Sequence, residues 1–234
     1  MYSIADRVAR IRDEMARAAA QAGRDEKEIQ LLAATKMNDA SRVREAIRAG
    51  IDVCGENRVQ ELQEKLGENA YEGCPLHFIG HLQKNKAKFL VGNVDLIQSV
   101  DSLPLMETLE RLSAQKNLTQ DILLEINIGG ETAKSGIVPE AADEYAARMC
   151  EFPHLRLRGF MTIPPVSQKE GGNLRYFAKM YQLYVDIMGK KYDNNTVDCL
   201  SMGMSDDFAD AIKEGTTMIR VGTSIFGSRQ YVKN

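Results

Sequence analysis

The sequence predicts an α/β fold, a single (β/α)₈ barrel of the TIM type with an extra N-terminal helix. Three observations carry this expectation. Eight short apolar runs read as strands, helical patterns fill the gaps between them, and the chain has 234 residues, close to the roughly 250 such barrels need. Strand–helix alternation over short loops makes βαβ units and a parallel sheet. An open doubly wound sheet is the alternative. No G-x-G-x-x-G turn follows the first strand, which weakens it. No linker, repeat or low-complexity segment divides residues 1–234, so one barrel domain is expected over that span.

In chain order, the first element is the extra helix. Ser3 and Asp6 are spaced as a capping box, and Ile4, Val8, Ile11 and Met15 recur at helical spacing. "IQLLAAT", residues 29–35, is the first strand; Asp39 caps a helix with Val43, Ala46 and Ile47, and Gly50 stops it. "DVCGE" is the second strand, followed by Val59, Leu62 and Leu66 on one helical face. "PLHFIG" is the third, with "KNKAKFLV" as its helix, and "DLIQSV" the fourth, with Pro104 in the first turn ahead of Leu105, Leu109 and Leu112. "DILLEINIG" is the fifth, and Pro139 leads Ala142, Tyr145, Ala146 and Met149. "LRLRGFMTI" is the sixth, then the polar loop "PPVSQKEGGN" and a helix with Leu174, Phe177, Tyr181, Val185 and Met188 on its apolar stripe. "TVDCLSM" is the seventh, with a short helix through Phe208, Ala211 and Ile212, and "TTMIRVGTSIFG" the eighth. Only "GSRQYVKN" is left for a last helix. The extra N-terminal helix is expected to take that vacant place in the outer ring.

Composition excludes several functions. Lys plus Arg number 30 against 33 Asp plus Glu, a net charge of −3, so no global basic excess draws nucleic acid or anionic lipid. Lys84, Lys86 and Lys88 form the densest basic cluster, which reads as a solvated helix face. Charges begin at Asp6, which rules out a secretion signal, and no apolar window approaches the ~18 residues of a membrane span. Cys54, Cys74, Cys150 and Cys199 are far apart in sequence without a C-x-x-C. That spacing suggests neither a disulfide framework nor a metal site, and a reducing cytoplasm fits best. Only His77, His81 and His154 are available for metal or triad chemistry.

In this barrel class, sites form at the carboxyl ends of the strands. Lys36 stands there, at the end of the first strand. An ammonium at the rim of a core loses hydration. Either it reaches water, or apolar walls make its amine nucleophilic enough for Schiff-base chemistry. The loops after strands seven and eight, where such barrels often bind phosphate, read "SMGMSDD" and "VGTSIFGS". Ser201, Ser205, Gly203, Gly222, Thr223, Ser224 and Gly227 offer hydroxyls and close backbone approach, as a phosphate dianion requires and as ordinary tight turns also do. Asp206 and Asp207 read as helix N-terminal charges. Arg220 lies between Ile219 and Val221 and so points to the opposite side from both. Its partner is either a barrel carboxylate such as Glu125 or a ligand's ring nitrogen. Pyridoxal phosphate would use all three features: its aldehyde Lys36, its phosphate the two loops, its pyridine nitrogen Arg220. A phosphosugar enzyme would use the loops alone. The closing glycine of a G-x-S-x-G nucleophile elbow is absent from both loops.

The segments "LLAATK", "GENRVQE", "HFIGHLQKNK", "IQSVDS", "EINIGGETAKSGI", "RGFMTI", "LSMGMSDDF" and "IRVGTSIFG" together resemble the pyridoxal-phosphate-binding, or pyridoxal phosphate homeostasis, protein family. The likeness spans about residues 5–232, and the family's barrel is similar to the N-terminal domain of alanine racemase, fold type III. Residue by residue, Lys36 resembles the lysine that holds the cofactor as a Schiff base, and Arg220 the arginine facing the pyridine nitrogen. Ser201, Gly222 and Thr223 resemble the phosphate cradle, and Asn57 a polar neighbour of the ring hydroxyl. Met202, His81 and Gly80 are expected to line the pocket. His77 reads instead as a satisfied strand-end histidine.

A permanent cation at the ring nitrogen disfavours its protonation and weakens the ring as an electron sink. The resemblance implies that racemases of this fold add a second domain and a partner subunit, which close the site and supply a second base. The chain stops soon after strand eight, so an open cofactor face is expected, which forfeits desolvation and substrate positioning. No tyrosine or histidine is obviously placed as an opposing base, with Tyr145, Tyr176 and Tyr181 the open candidates. The expectation is a non-catalytic carrier of pyridoxal phosphate, a cytoplasmic monomer or weak dimer that affects vitamin B6 and amino-acid balance. Apo forms of enzymes using the cofactor are its candidate recipients; no nucleic acid, membrane or metal is expected. The alternative is a pyridoxal-phosphate-dependent amino-acid racemase or decarboxylase.

Overall fold

Successive residues of a strand face opposite ways, so strands buried on both faces read as unbroken apolar runs. The computed structural model, which describes residues 2–167, 169 and 171–227, turns the eight runs into eight parallel strands. They are β1 (Gln30–Ala34), β2 (Val53–Glu56), β3 (Leu76–Phe78), β4 (Leu96–Val100), β5 (Gln120–Ile126), β6 (Leu155–Thr162), β7 (Asn195–Ser201) and β8 (Met218–Val221). They pair in chain order and close, β8 against β1 with Leu32 opposite Arg220. Leu32, Val53, Ile79, Leu96, Leu123, Met161, Cys199 and Met218 fill the interior. The alternate residues, among them Leu31, Cys54, Phe78, Ile97, Phe160 and Ile219, pack outward under the helices.

The helices are α1 (Ile4–Gln21), α2 (Ala40–Arg48), α3 (Val59–Gly67), α4 (Leu103–Gln115), α5 (Ala142–Ala147), α6 (Leu174–Lys190), α7 (Phe208–Lys213) and α8 (Thr223–Phe226). The expected capping box is formed: Ser3 Oγ accepts from Asp6 N–H, and the Asp6 carboxylate accepts from Ser3 N–H. α8 has one turn only, and α1 packs against α2, α7 and α8. The first helix thus fills the gap the last one leaves. No helix among the described residues is long and apolar enough to cross a membrane.

Several expectations need correction. "KNKAKFLV" is not an α-helix but a 3₁₀ segment, Lys84–Phe89, in which Ala87 is buried, followed by the buried Leu90 and Val91; the apolar positions gather at its end, and its polar start has no stripe to hold a longer helix. Its Lys84 and Lys88 are exposed, and the ammonium of Lys88 lies 5.0 Å from the Phe89 ring centroid. The buried stripe of α6 is Phe177, Met180, Tyr184 and Ile187. Tyr181 and Met188, expected inside, are each 43% exposed. This helix carries apolar groups nearly all round, so docking rather than periodicity selects the face. "GTSIF" leaves the eighth strand at Gly222 to form α8. Finally, closure brings Cys54 and Cys74 together, their sulfurs 3.6 Å apart as free thiols, although the sequence separates them. Residues 228–234 of the C-terminal segment lie outside the described residues.

At the N-terminal end of the barrel, Arg156 makes a two-pronged pair with Asp121 at 2.7 and 2.8 Å. Arg158 bridges Asp121 at 2.7 Å to Asp198 at 2.6 and 2.8 Å. This network ties β5, β6 and β7 and leaves the opposite, C-terminal mouth for chemistry.

Candidate active-site mouth

β1 delivers Lys36. Its inward residues are Leu32 and Ala34, and Lys36 continues the same alternation two residues on, half-buried in the turn that follows the strand. Next to it Met37 holds φ at 60°, a left-handed conformation that a side chain adopts at a cost of about 1–2 kcal/mol. Asn38 Nδ2 donates to Lys36 O at 3.0 Å, and Arg42 Nε donates to Asn38 Oδ1 at 3.0 Å. Arg42 also donates to Phe226 O, so the turn after β1 is tied to the end of α8. Gly222 abuts β1 directly: a Cβ there would lie 3.4 Å from Ala34 Cβ.

The loops after β7 and β8 meet as the sequence suggests. Thr223 Oγ1 and Ser205 Oγ are 3.3 Å apart, and Arg220 N–H donates to Gly203 O at 3.0 Å. Gly203 has φ +89°, and a Cβ would lie 2.5 Å from Ala211 Cβ, so no other residue fits that turn. Thr223 and Ser224 are exposed at the start of α8, where backbone N–H groups have no intrahelical partner. Asp207 accepts from Met204 N–H at 2.7 Å and from Asn173 Nδ2 at 2.8 Å. It serves the loop, and the described residues contain no metal-binding cluster.

Two residues expected at the phosphate or pocket face elsewhere. Ser201 is fully buried inside the barrel, its hydroxyl donating to Gln98 Oε1 at 2.7 Å and accepting from Arg220 Nη1 at 2.7 Å. Met202 is fully buried in the outer core. Their strand-end backbone is at the mouth, but their side chains are not part of its surface.

Arg220 points into the barrel. Besides Ser201 it donates to Thr162 O at 2.8 Å from Nη2. Burial lowers its pKa to about 10 against a field from Glu125 that raises it, so it stays cationic at neutral pH. The expected partner Glu125 makes no ion pair with it within 4 Å among the described residues. Burial first, then Asp101, raise the Glu125 pKa, while Arg220 opposes them. Beyond Gln98 the polar line ends at His77, whose Nδ1 lies 2.9 Å from Gln98 Nε2. Burial lowers the His77 pKa to about 4; it is the satisfied interior histidine the sequence suggested. Gln98 was not singled out, although a polar residue inside the apolar "DLIQSV" carries the same signal as Arg220.

Across the mouth is a cavity of about 510 Å³. Asn57, Ile79, Gly80 and His81 form one wall; Glu125, Asn127, Lys134, Ser135 and Ile163 form another. It joins Asn57, Gly80 and His81, whereas Lys36, Gly222 and Thr223 follow β1 and β8 at the strand ends. Gly80 allows the close approach of two loops, since a Cβ would lie 2.1 Å from Asn57 O. The Asn57 Oδ1 is buried without a hydrogen-bond partner, a cost of about 1–3 kcal/mol that a bound hydroxyl would relieve. The strand ends thus carry an orphaned acceptor at Asn57, a half-buried primary amine at Lys36 and the hydroxyl pair Thr223–Ser205, with the Arg220 cation buried in the barrel below. These groups fit an aromatic phosphate ester carrying a hydroxyl and an aldehyde.

Residues 7–230 match the family model for the alanine racemase N-terminal domain. The chain is 41% identical to the pyridoxal phosphate homeostasis protein of Escherichia coli (strain K12), with 100% of each chain covered. It is 39% identical to the protein of that name from Aquifex aeolicus, over 97% of this chain and 98% of the other. Its fold matches PipY of Synechococcus elongatus PCC7942, solved with PLP bound, at a TM-score of 0.82 and 31% identity, covering 96% of this chain and 100% of that one.

Proposed function

This chain belongs to the family of the alanine racemase N-terminal domain, and from that premise we propose that it is a pyridoxal 5′-phosphate-binding protein of cofactor homeostasis. The observation that carries the proposal is the orphaned Asn57 acceptor at the strand ends, with Lys36 after β1, the adjoining Gly203–Ser205 and Gly222–Thr223 loops after β7 and β8, and Arg220 buried in the barrel as further support. When bound, the cofactor supplies an aldehyde that condenses reversibly with a primary amine. Lys36 offers that amine. Thr223, Ser205 and the amides at the start of α8 would take the phosphate, Asn57 the ring hydroxyl, and Arg220 would face the pyridine nitrogen. Ser201 holds the Arg220 fork in place. Gly80 and His81, which line the cavity, would stand beside the ring.

The role is that of a carrier rather than a catalyst, acting as one barrel domain in the cytoplasm and passing the cofactor to apo-enzymes as a monomer or weak dimer. Three facts support this reading. Arg220 would hold a fixed cation at the ring nitrogen, where an electron sink needs a proton. Tyr145, Tyr176 and Tyr181 lie on α5 and α6 of the outer ring. Both relatives cited above bear the homeostasis name, and this chain matches 98% and 100% of their lengths.

The test is direct. The purified protein should turn yellow with pyridoxal phosphate, lose the colour on borohydride reduction and retain the cofactor mass on Lys36. Lys36→Ala should show none of these. Sustained racemisation or decarboxylation of an amino acid by the holo-protein, lost in Lys36→Ala, would overturn the carrier role.

A further inference from the structure

Helix α3 does more than cover the barrel, because two of its side chains hold the peptide units on either side of Lys36. Lys65 Nζ donates to Thr35 O, the carbonyl preceding Lys36, at 2.9 Å. Glu61, one turn earlier on the same face, accepts the N–H of Met37, the residue after it, at 2.6 Å. The two side chains lie 3.6 Å apart. Behind them the wholly buried Glu56 presents Oε1 to Lys65 at 2.5 Å, Thr35 Oγ1 at 2.6 Å and Tyr71 OH at 3.0 Å.

Stability alone accounts poorly for this arrangement. A buried ion pair often contributes no more than apolar residues of the same size, because desolvation offsets the attraction. What it does supply here is direction. Met37 is held at φ 60°, and strained backbone persists only where surrounding contacts fix it. Glu61 meets that strained residue at its own N–H. Resting on the reading that Lys36 takes the cofactor, we propose that Glu61 and Lys65 are positioning residues. They clamp the Lys36 backbone so that its amine is presented to the mouth, with Glu56 and Tyr71 anchoring the clamp.

Glu61 gives the cleaner test, since removing it leaves the buried Lys65–Glu56 pair in place. Glu61→Ala deletes the acceptor for Met37 N–H, whereas Glu61→Gln keeps an oxygen there. The full chain is mixed with pyridoxal phosphate, and growth of the yellow lysine-linked absorbance is timed. Binding of pyridoxine 5′-phosphate, which has no aldehyde, is measured in parallel. Glu61→Ala is expected to slow linkage by about tenfold or more, with pyridoxine 5′-phosphate affinity held within about twofold and Glu61→Gln restoring the rate. Linkage by Glu61→Ala at the parental rate, or equal weakening towards both compounds, would overturn the clamp. In either case the parent would still link through Lys36, leaving the binding role intact. A parent that forms no linkage at Lys36 would remove both.

Discussion

His77 shows how far one side chain can be read from its surroundings. Its ring is 7% exposed, its Nδ1 faces Gln98 Nε2, and burial holds its pKa at about 4. In the unfolded chain the imidazole takes its proton near pH 6.5. Below that value the unfolded state therefore binds the extra proton and gains. Stability should fall as the pH drops from about 6.5 and level off near 4, a loss of at most about 3.4 kcal/mol. Urea unfolding at a series of pH values should show this slope, and His77→Gln should flatten it. The cysteines give a second residue-scale expectation. Cys150 is exposed, Cys74 half-buried, and Cys54 and Cys199 buried. Burial raises the Cys199 pKa to about 12, and contact with Cys74 followed by burial raises that of Cys54. A thiol reagent should modify native Cys150 first and leave Cys54 and Cys199 until unfolding, as mass mapping would show.

At the scale of elements, glycines mark where strands and loops come closest. Gly159, in β6, has φ +140°, and a Cβ there would lie 1.9 Å from Cys199 O in β7. Gly159→Ala should be among the most damaging small substitutions, losing about 3 kcal/mol or more through strain and broken pairing; thermal unfolding reports it. Gly80→Ala, with its Cβ 2.1 Å from Asn57 O, should instead push Asn57 aside, and pyridoxal phosphate titration should show weakened binding. At the start of α1, Ser3→Ala removes the cap and should cost about 1 kcal/mol. Strand and helix order was legible because it depends on local periodicity and capping, as with Ser3 and Asp39. The face of α6 was not, because Tyr181 and Tyr184 are equally apolar and only the docked barrel distinguishes them.

Seen as a whole molecule, closure makes the pairs that no local pattern can reveal. Lys36, Arg220 and the last two loops could be found from strand ends and polar intrusions. The Ser201–Gln98 bond joins residues 103 positions apart, and Cys54 meets Cys74 only once β2 and β3 are paired. The Asn57 acceptor without a partner is a property of the assembled mouth. Glu61 and Lys65 stand four residues apart on α3, but their targets beside Lys36 lie in the turn after β1, which only the folded barrel brings to them.

The first helix shares this dependence on closure. Arg7 Nη1 donates to Ile225 O at 3.4 Å, a bond that spans 218 positions, and Arg24 Nη1 donates to Ile212 O at 2.9 Å. During synthesis α1 is made before every strand of this barrel, yet α7 and α8, which help seat its apolar side, follow the seventh and eighth strands. It must wait, exposed, until β8 and α8 have been made before the ring can lock.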